Sequence, residues 1–121
     1  MKPYKKIIIY GAGASGVLIK QLFDKKSNGD VFAFIDDNLS LNNRTLVGVK
    51  IIHSSLLDKV FIKKNSIDAI IVSNIYIHIN KSAFLSKFKL PILLPKDVGE
   101  WNDGYISNLD ISEIDSSFII N

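Results

Sequence analysis

The run Ile7-Ile8-Ile9-Tyr10-Gly11-Ala12-Gly13-Ala14-Ser15-Gly16 constrains this chain more than any other segment. Four β-favouring apolar residues lead into three glycines at the spacing G-x-G-x-x-G, and an amphipathic stretch follows, which predicts strand, tight turn and helix in that order. In such a unit Gly11 lets the chain turn sharply, Gly13 lets backbone amides approach a phosphate, and Gly16 lets the helix lie close to the strand. The helix N-terminus, at Ala14 and Ser15, supplies unpaired N–H groups and a partial positive charge to an anion. About twenty positions on, Phe34-Ile35-Asp36-Asp37 predicts a second strand that ends in acid. Asp36 is spaced to accept a hydrogen bond from a ribose 2′-hydroxyl. Asp37 is either a second ribose contact or a partner of the turn backbone that follows it. The candidate cofactor-binding set is therefore Gly11, Ala12, Gly13, Ala14, Ser15, Gly16, Asp36 and Asp37. Acids at this place disfavour a 2′-phosphate, so a dinucleotide bound here is expected to be NAD rather than NADP.

With 121 residues, the chain is expected to form one domain with a sizeable core. No apolar run approaches the roughly 20 residues of a membrane span, and the basic start Lys2-Pro3-Tyr4-Lys5-Lys6 leads into a strand instead of a signal-peptide core. The absence of cysteine removes disulfides, thiolate metal sites and a thiol nucleophile, and fits a reducing compartment. A cytoplasmic location with no direct membrane insertion is the expectation. The net charge of +3 arises from scattered lysines such as Lys25-Lys26 and Lys63-Lys64, with no basic stripe interleaved with aromatics, so nucleic acid is not an expected partner.

Periodicity places a first strand at Lys6 to Tyr10 and a helix from about Ser15 to Lys25, with Val17, Leu18, Leu22 and Phe23 on its buried stripe. Strands follow at Val31–Ile35, Val49–Ile52, Asp68–Ser73 and Pro91–Leu94, with Asp36 to Gly48 read as a loop. A second helix is expected to start at the capping signature Ser55-x-x-Asp58 and to bury Leu56, Leu57, Val60 and Phe61. A third is expected near Asn80 to Phe88. Alternating β and α elements with short connections predict a three-layer α/β fold with five parallel strands in the order 3-2-1-4-5. From Pro95 onward the polar, turn-rich sequence reads as a short irregular tail, in which Trp101 packs a loop onto the sheet or a neighbouring domain.

These segments together resemble the small Rossmann-like domain that precedes the catalytic domain in membrane-bound nucleotide-sugar dehydratases and epimerases of polysaccharide biosynthesis. The matching stretches are Ile9-Tyr10-Gly11-Ala12-Gly13 with Gly16, Phe34-Ile35-Asp36-Asp37, Gly48-Val49-Lys50-Ile51-Ile52, Ile67-Asp68-Ala69-Ile70-Ile71-Val72, and Leu94-Pro95 before the Trp101-x-x-Gly104 element. The resemblance implies a part, or a free-standing homologue, of a larger sugar-nucleotide enzyme whose chemistry resides in a separate short-chain-dehydrogenase domain. The chain departs from that family at Ser73-Asn74-Ile75-Tyr76-Ile77-His78, which is bulkier than the usual small, proline-containing strand exit.

No catalytic residues are expected in this chain itself. A short-chain dehydrogenase needs Tyr-x-x-x-Lys, but Tyr76 has Asn80 at that spacing and Lys81 one residue too far, and Tyr4, Tyr10 and Tyr105 have no lysine there. His53 and His78 lie in no metal-ligand spacing and read as surface or half-buried polar residues. The expected role is a non-catalytic domain that holds NAD, another adenine nucleotide or a nucleotide sugar. Two alternatives stay open: a ligand-free scaffold that docks a catalytic domain or a second copy, and the N-terminal sugar-nucleotide-binding domain of a sugar acetyltransferase.

Overall fold

The structure, a computed structural model, describes residues 4–26, 29–94 and 119–120. Its elements in chain order are β1 (Lys6–Tyr10), α1 (Ala14–Lys26), β2 (Asp30–Asp36), β3 (Thr45–Leu46), β4 (Val49–His53), α2 (Lys59–Lys64), β5 (Ala69–Val72), α3 (Ile75–Ser86), β6 (Ile92–Leu93) and β7 (Ile119–Ile120). They form one sheet in the order β3-β4-β2-β1-β5-β6-β7. The inner five strands, β4-β2-β1-β5-β6, pair in parallel, in the order expected from the alternating pattern. The expectation of an all-parallel five-stranded sheet is nevertheless corrected. Antiparallel β3 and β7 extend the two edges and make the sheet mixed and seven-stranded. Two-residue strands carry too little periodicity to be read from sequence unless, as at β6, they follow in the β/α alternation.

β1 lies at the centre because Ile7, Ile8 and Ile9 are apolar on both faces, and all three are fully buried. Alternate residues divide the core. Ile7 and Ile9 pack with Ile19, Leu22 and Phe23 of α1, whereas Ile8 and Tyr10 pack with Leu57, Ile62, Leu85 and Phe88 on the side of α2 and α3. A bulge between Ile7 and Ile8 pairs them with Val31 and Ala33, so Phe32 is left over and turns outward against the Phe61 ring and the Lys6 ammonium. At the amino ends of the strands, the Asp68 carboxylate accepts from Lys5 N and Lys6 N, both at 2.9 Å, and clips the chain start to the head of β5.

Three helix readings need correction. α1 buries Ile19 in addition to the expected Leu22 and Phe23, while Val17 and Leu18 are only half-buried. In the second case a 3-10 turn at Ser54–Leu56 comes first, and Asp58, not Ser55, caps α2 by accepting from Phe61 N at 2.8 Å. Leu56 and Val60 then point to solvent, and Leu57 and Ile62 take the buried positions. α3 begins five residues earlier than expected, at Ile75, because Asn74 caps it through Ile77 N (2.9 Å). The β-branched residues Ile75, Ile77 and Ile79 hide that start, since such residues disfavour helix on intrinsic grounds.

Asp36 to Gly48 is more ordered than a plain loop. A 3-10 turn at Leu39–Leu41 is capped by Asn38, and β3 returns along β4 through the two-residue turn Val47-Gly48. Both turn residues have positive φ, +44° at Val47 and +81° at Gly48. Such a turn suits Asn-Gly, whereas a β-branched residue in this region is strained. Val47→Asn is therefore expected to stabilise the protein by about 1 kcal/mol, read as a higher urea midpoint at unchanged slope. An unchanged or lower midpoint would show that the turn carries no such strain.

The expected irregular tail falls mostly outside the described residues, as do Trp101 and the Leu94-Pro95…Gly104 element beyond Leu94. No helix among the described residues is long and apolar enough to cross a membrane.

Candidate functional site

β1 and β5 are neighbours, and the chain leaves them toward opposite faces of the sheet, into α1 on one side and α3 on the other. That divergence is a topological switch point at the carboxyl ends of the strands, the place where open α/β sheets bind ligands. The glycine loop 11–16 lies on one side of it, and the turn Ser73-Asn74 with the first turn of α3 on the other.

The three glycines have separable reasons for being there. Gly11 has φ +113°, and a Cβ on it would lie 2.0 Å from Ser73 Oγ and 2.8 Å from Ile77 Cδ1. A Cβ on Gly16 would lie 2.1 Å from the carbonyl oxygen of Gly11, so α1 can rest on the end of β1 only without one. Gly13 differs: it is exposed, and among the described residues nothing lies within 4 Å of where its Cβ would be. The fold leaves that space open. The first i→i−4 bond of α1 runs from Val17 N to Gly13 O (3.1 Å), so the amides of Ala14, Ser15 and Gly16 precede the helical ladder. Gly13 carries no side chain to cap them, unlike Asp58 at α2 and Asn74 at α3.

The two acids sit at the end of β2, beside this loop. Asp36 Oδ2 accepts from Ala12 N and Oδ1 from Asn38 N, both at 2.9 Å. Asp37 Oδ1 accepts from the Tyr10 hydroxyl (2.5 Å), and Oδ2 pairs with Lys81 Nζ (3.1 Å) on α3. Every carboxylate oxygen of the pair thus carries a protein donor. His53 completes the arrangement. Its Nδ1 accepts from Ser55 N (3.1 Å), which assigns the proton to Nε2, and that group donates to the carbonyl of Asp37 (3.1 Å). His53 is accordingly a clamp between β4 and the β2 exit.

Tyr10 and Lys81 meet on one carboxylate, a proximity that a separation of 71 positions conceals in the sequence. It is not an acid–base pair. Burial, and then the hydrogen bond to Asp37, push the Tyr10 phenol well above its ordinary value, which keeps it protonated. The lysine, moreover, faces the carboxylate and not the phenol. For Asp37, burial pushes the carboxyl up, but the bond from Tyr10, followed by Ser54 and Lys81, outweighs it and leaves the carboxyl below 3.8.

Two predictions follow from this geometry. Gly16→Ala is expected to cost about 2 kcal/mol or more in chemical denaturation, because a backbone carbonyl cannot move aside, whereas Gly13→Ala stays within about 1 kcal/mol of the parent protein. Equal losses would refute the division of roles. For Asp37, a lowered folded pKa means that its stabilisation is present above 3.8 and is lost as the pH falls through the lowered value. Asp37→Asn should accordingly flatten the fall in stability between about pH 5 and pH 2. Acid-unfolding curves of identical shape for the two proteins would remove Asp37 from the acid response.

No curated protein matches the chain in sequence. Among solved structures, a UDP-D-quinovosamine 4-dehydrogenase from Vibrio fischeri superposes with a TM-score of 0.71 at 23% identity, over 92% of this chain and 98% of that one. A Rex-family repressor, RSP, solved with β-NADH, superposes with a TM-score of 0.61 at 23% identity over 78% of this chain, which spans 47% of the repressor's length. At these identities the likeness establishes a Rossmann-like fold. Residues 3–87, most of the chain, match the family described as C2185-like, N-terminal, and the chain belongs to that family.

Proposed function

We propose that this chain is a nucleotide-binding domain that takes the diphosphate of NAD, or of a related nucleotide or nucleotide sugar, on the glycine loop. Gly13 carries this reading. Packing and backbone conformation account for Gly11 and Gly16, whereas none of the described residues occupies the place a side chain at Gly13 would take. The space lies beside the amides of Ala14, Ser15 and Gly16 at the positive end of a 13-residue helix, where an anion is favoured. In this reading Gly11, Ala12, Gly13, Ala14, Ser15 and Gly16 form the phosphate cradle, with Asp36 and Asp37 at the ribose end. Likeness to a UDP-sugar dehydrogenase and to a repressor solved with NADH supports a nucleotide as the ligand class.

The domain itself is non-catalytic and serves a nucleoside-diphosphate-sugar dehydratase or epimerase of polysaccharide biosynthesis, on the cytoplasmic side, with the chemistry in a partner short-chain-dehydrogenase domain. A second reading, a scaffold that docks such a domain, is favoured by Ile75, Tyr76 and Ile79, which leave the first turns of α3 at 41%, 74% and 66% exposure.

Titration calorimetry with NAD, NADP, ADP-ribose and UDP-N-acetylhexosamines tests the binding reading. The parent protein is expected to give heat with at least one of them, and Gly13→Val none, because its branched side chain fills the open space while the fold survives. NADP is expected to bind about tenfold more weakly than NAD, since its 2′-phosphate meets Asp36. No heat with any ligand, or equal heats for both proteins, would leave the scaffold.

A further inference from the structure

The backbone ladder between β1 and β2 ends at Gly11 N–H, which donates to Ile35 O at 2.7 Å. The next amide, Ala12 N–H, goes to a side chain, Asp36 Oδ2 at 2.9 Å. The other oxygen of that carboxylate is held by Asn38 N–H at the same distance, so the group cannot rotate without releasing one of two amides. Both bonds are charge-assisted, the stronger kind. Ala12 lies between two glycines, residues with the widest conformational freedom, and among the described residues nothing lies within 4 Å of where a Gly13 Cβ would be, so the only bond fixing Gly13 comes from its own helix, from Val17 N to its carbonyl. The path of the loop from Gly11 to the start of α1 is thus braced at Ala12, and the brace is Asp36.

We infer that Asp36 is a positioning residue for the phosphate cradle: through Ala12 N–H it fixes the loop and thereby aims the amides of Ala14, Ser15 and Gly16, independently of any contact it makes with a ribose. The inference rests on the proposed reading of the loop as a diphosphate site. It has a consequence that a ribose contact alone does not have. A ligand with a diphosphate and no sugar or base feels the loss of Asp36.

Inorganic pyrophosphate is such a ligand, and backbone-amide NMR reads where it binds. In the parent protein it is expected to shift the amides of residues 13–16, and to bind Asp36→Ala about tenfold more weakly, the loss expected when charge-assisted bonds that hold the cradle are removed. In the ligand-free variant the Ala12 amide is expected to exchange faster with solvent, while the amides of β5 keep their protection. NAD and UDP-N-acetylglucosamine, titrated in parallel, report on the nucleotide reading itself. If either nucleotide binds while pyrophosphate binds both proteins equally, or shifts neither, the inference is overturned and Asp36 keeps a ribose contact only. If neither nucleotide shifts the loop of the parent protein, the nucleotide reading falls and the inference with it. Should Asp36→Ala fail to fold, Asp36→Asn, which keeps one acceptor oxygen, is read by the same criteria.

Discussion

The approach of α1 to β1 at Gly16 is the contact on which the rest of the arrangement depends. A Cβ there would sit 2.1 Å from the Gly11 carbonyl, so the absence of one lets the first turn of the helix rest directly on the end of the central strand. From that seat α1 covers Ile7 and Ile9 with Ile19, Leu22 and Phe23, and its N-terminus is held at the point where β1 and β5 send their helices to opposite faces. Burial of this order drives the fold, since each fully buried large aliphatic or aromatic side chain contributes about 1.5–3 kcal/mol. The same seat brings the positive end of the helix to the switch point, so packing and electrostatics are satisfied by one missing methyl group.

Around that seat, acids hold the ends of the strands. Asp68 clips the amino ends of β1 and β5, while Asp36 and Asp37 tie the carboxyl end of β2 to the glycine loop, to Tyr10 and to α3. The bonds at Asp36 and Asp68 are made to backbone amides that the sheet ladder leaves over, which explains why carboxylates and not neutral acceptors suit these positions. Asp37 works differently. Its partners are a phenol and an ammonium from distant elements, and at about half exposure its ion pair with Lys81 adds little stability while it fixes how α3 lies against the end of β2.

Much of the inner architecture was legible in the sequence because its signals are local. The apolar runs 7–10, 31–35 and 69–72, the glycine spacing and the alternation with helical stretches identify the five inner strands and their order, since right-handed crossovers leave few alternatives. The starts of α2 and α3 and the edge strands β3 and β7 were not legible. Asn74 caps a helix whose first turns carry the β-branched Ile75, Ile77 and Ile79, Asp58 takes over a capping role that Ser55 also matches in pattern, and the two-residue edge strands exist only because a partner strand offers its ladder.

At the candidate site the same division holds. The sequence by itself determined that three glycines and two acids come together at the end of two strands, because strand length, turn and helix spacing are short-range properties of the chain. Only the tertiary structure decided what each does. It separated Gly13, which faces open space, from Gly11 and Gly16, which are pressed against Ser73 and against each other. It also turned the acids toward Ala12, Asn38, Tyr10 and Lys81, because a carboxylate at a strand end takes the nearest unpaired donors, and which donors are nearest depends on how β1, β2 and α3 pack.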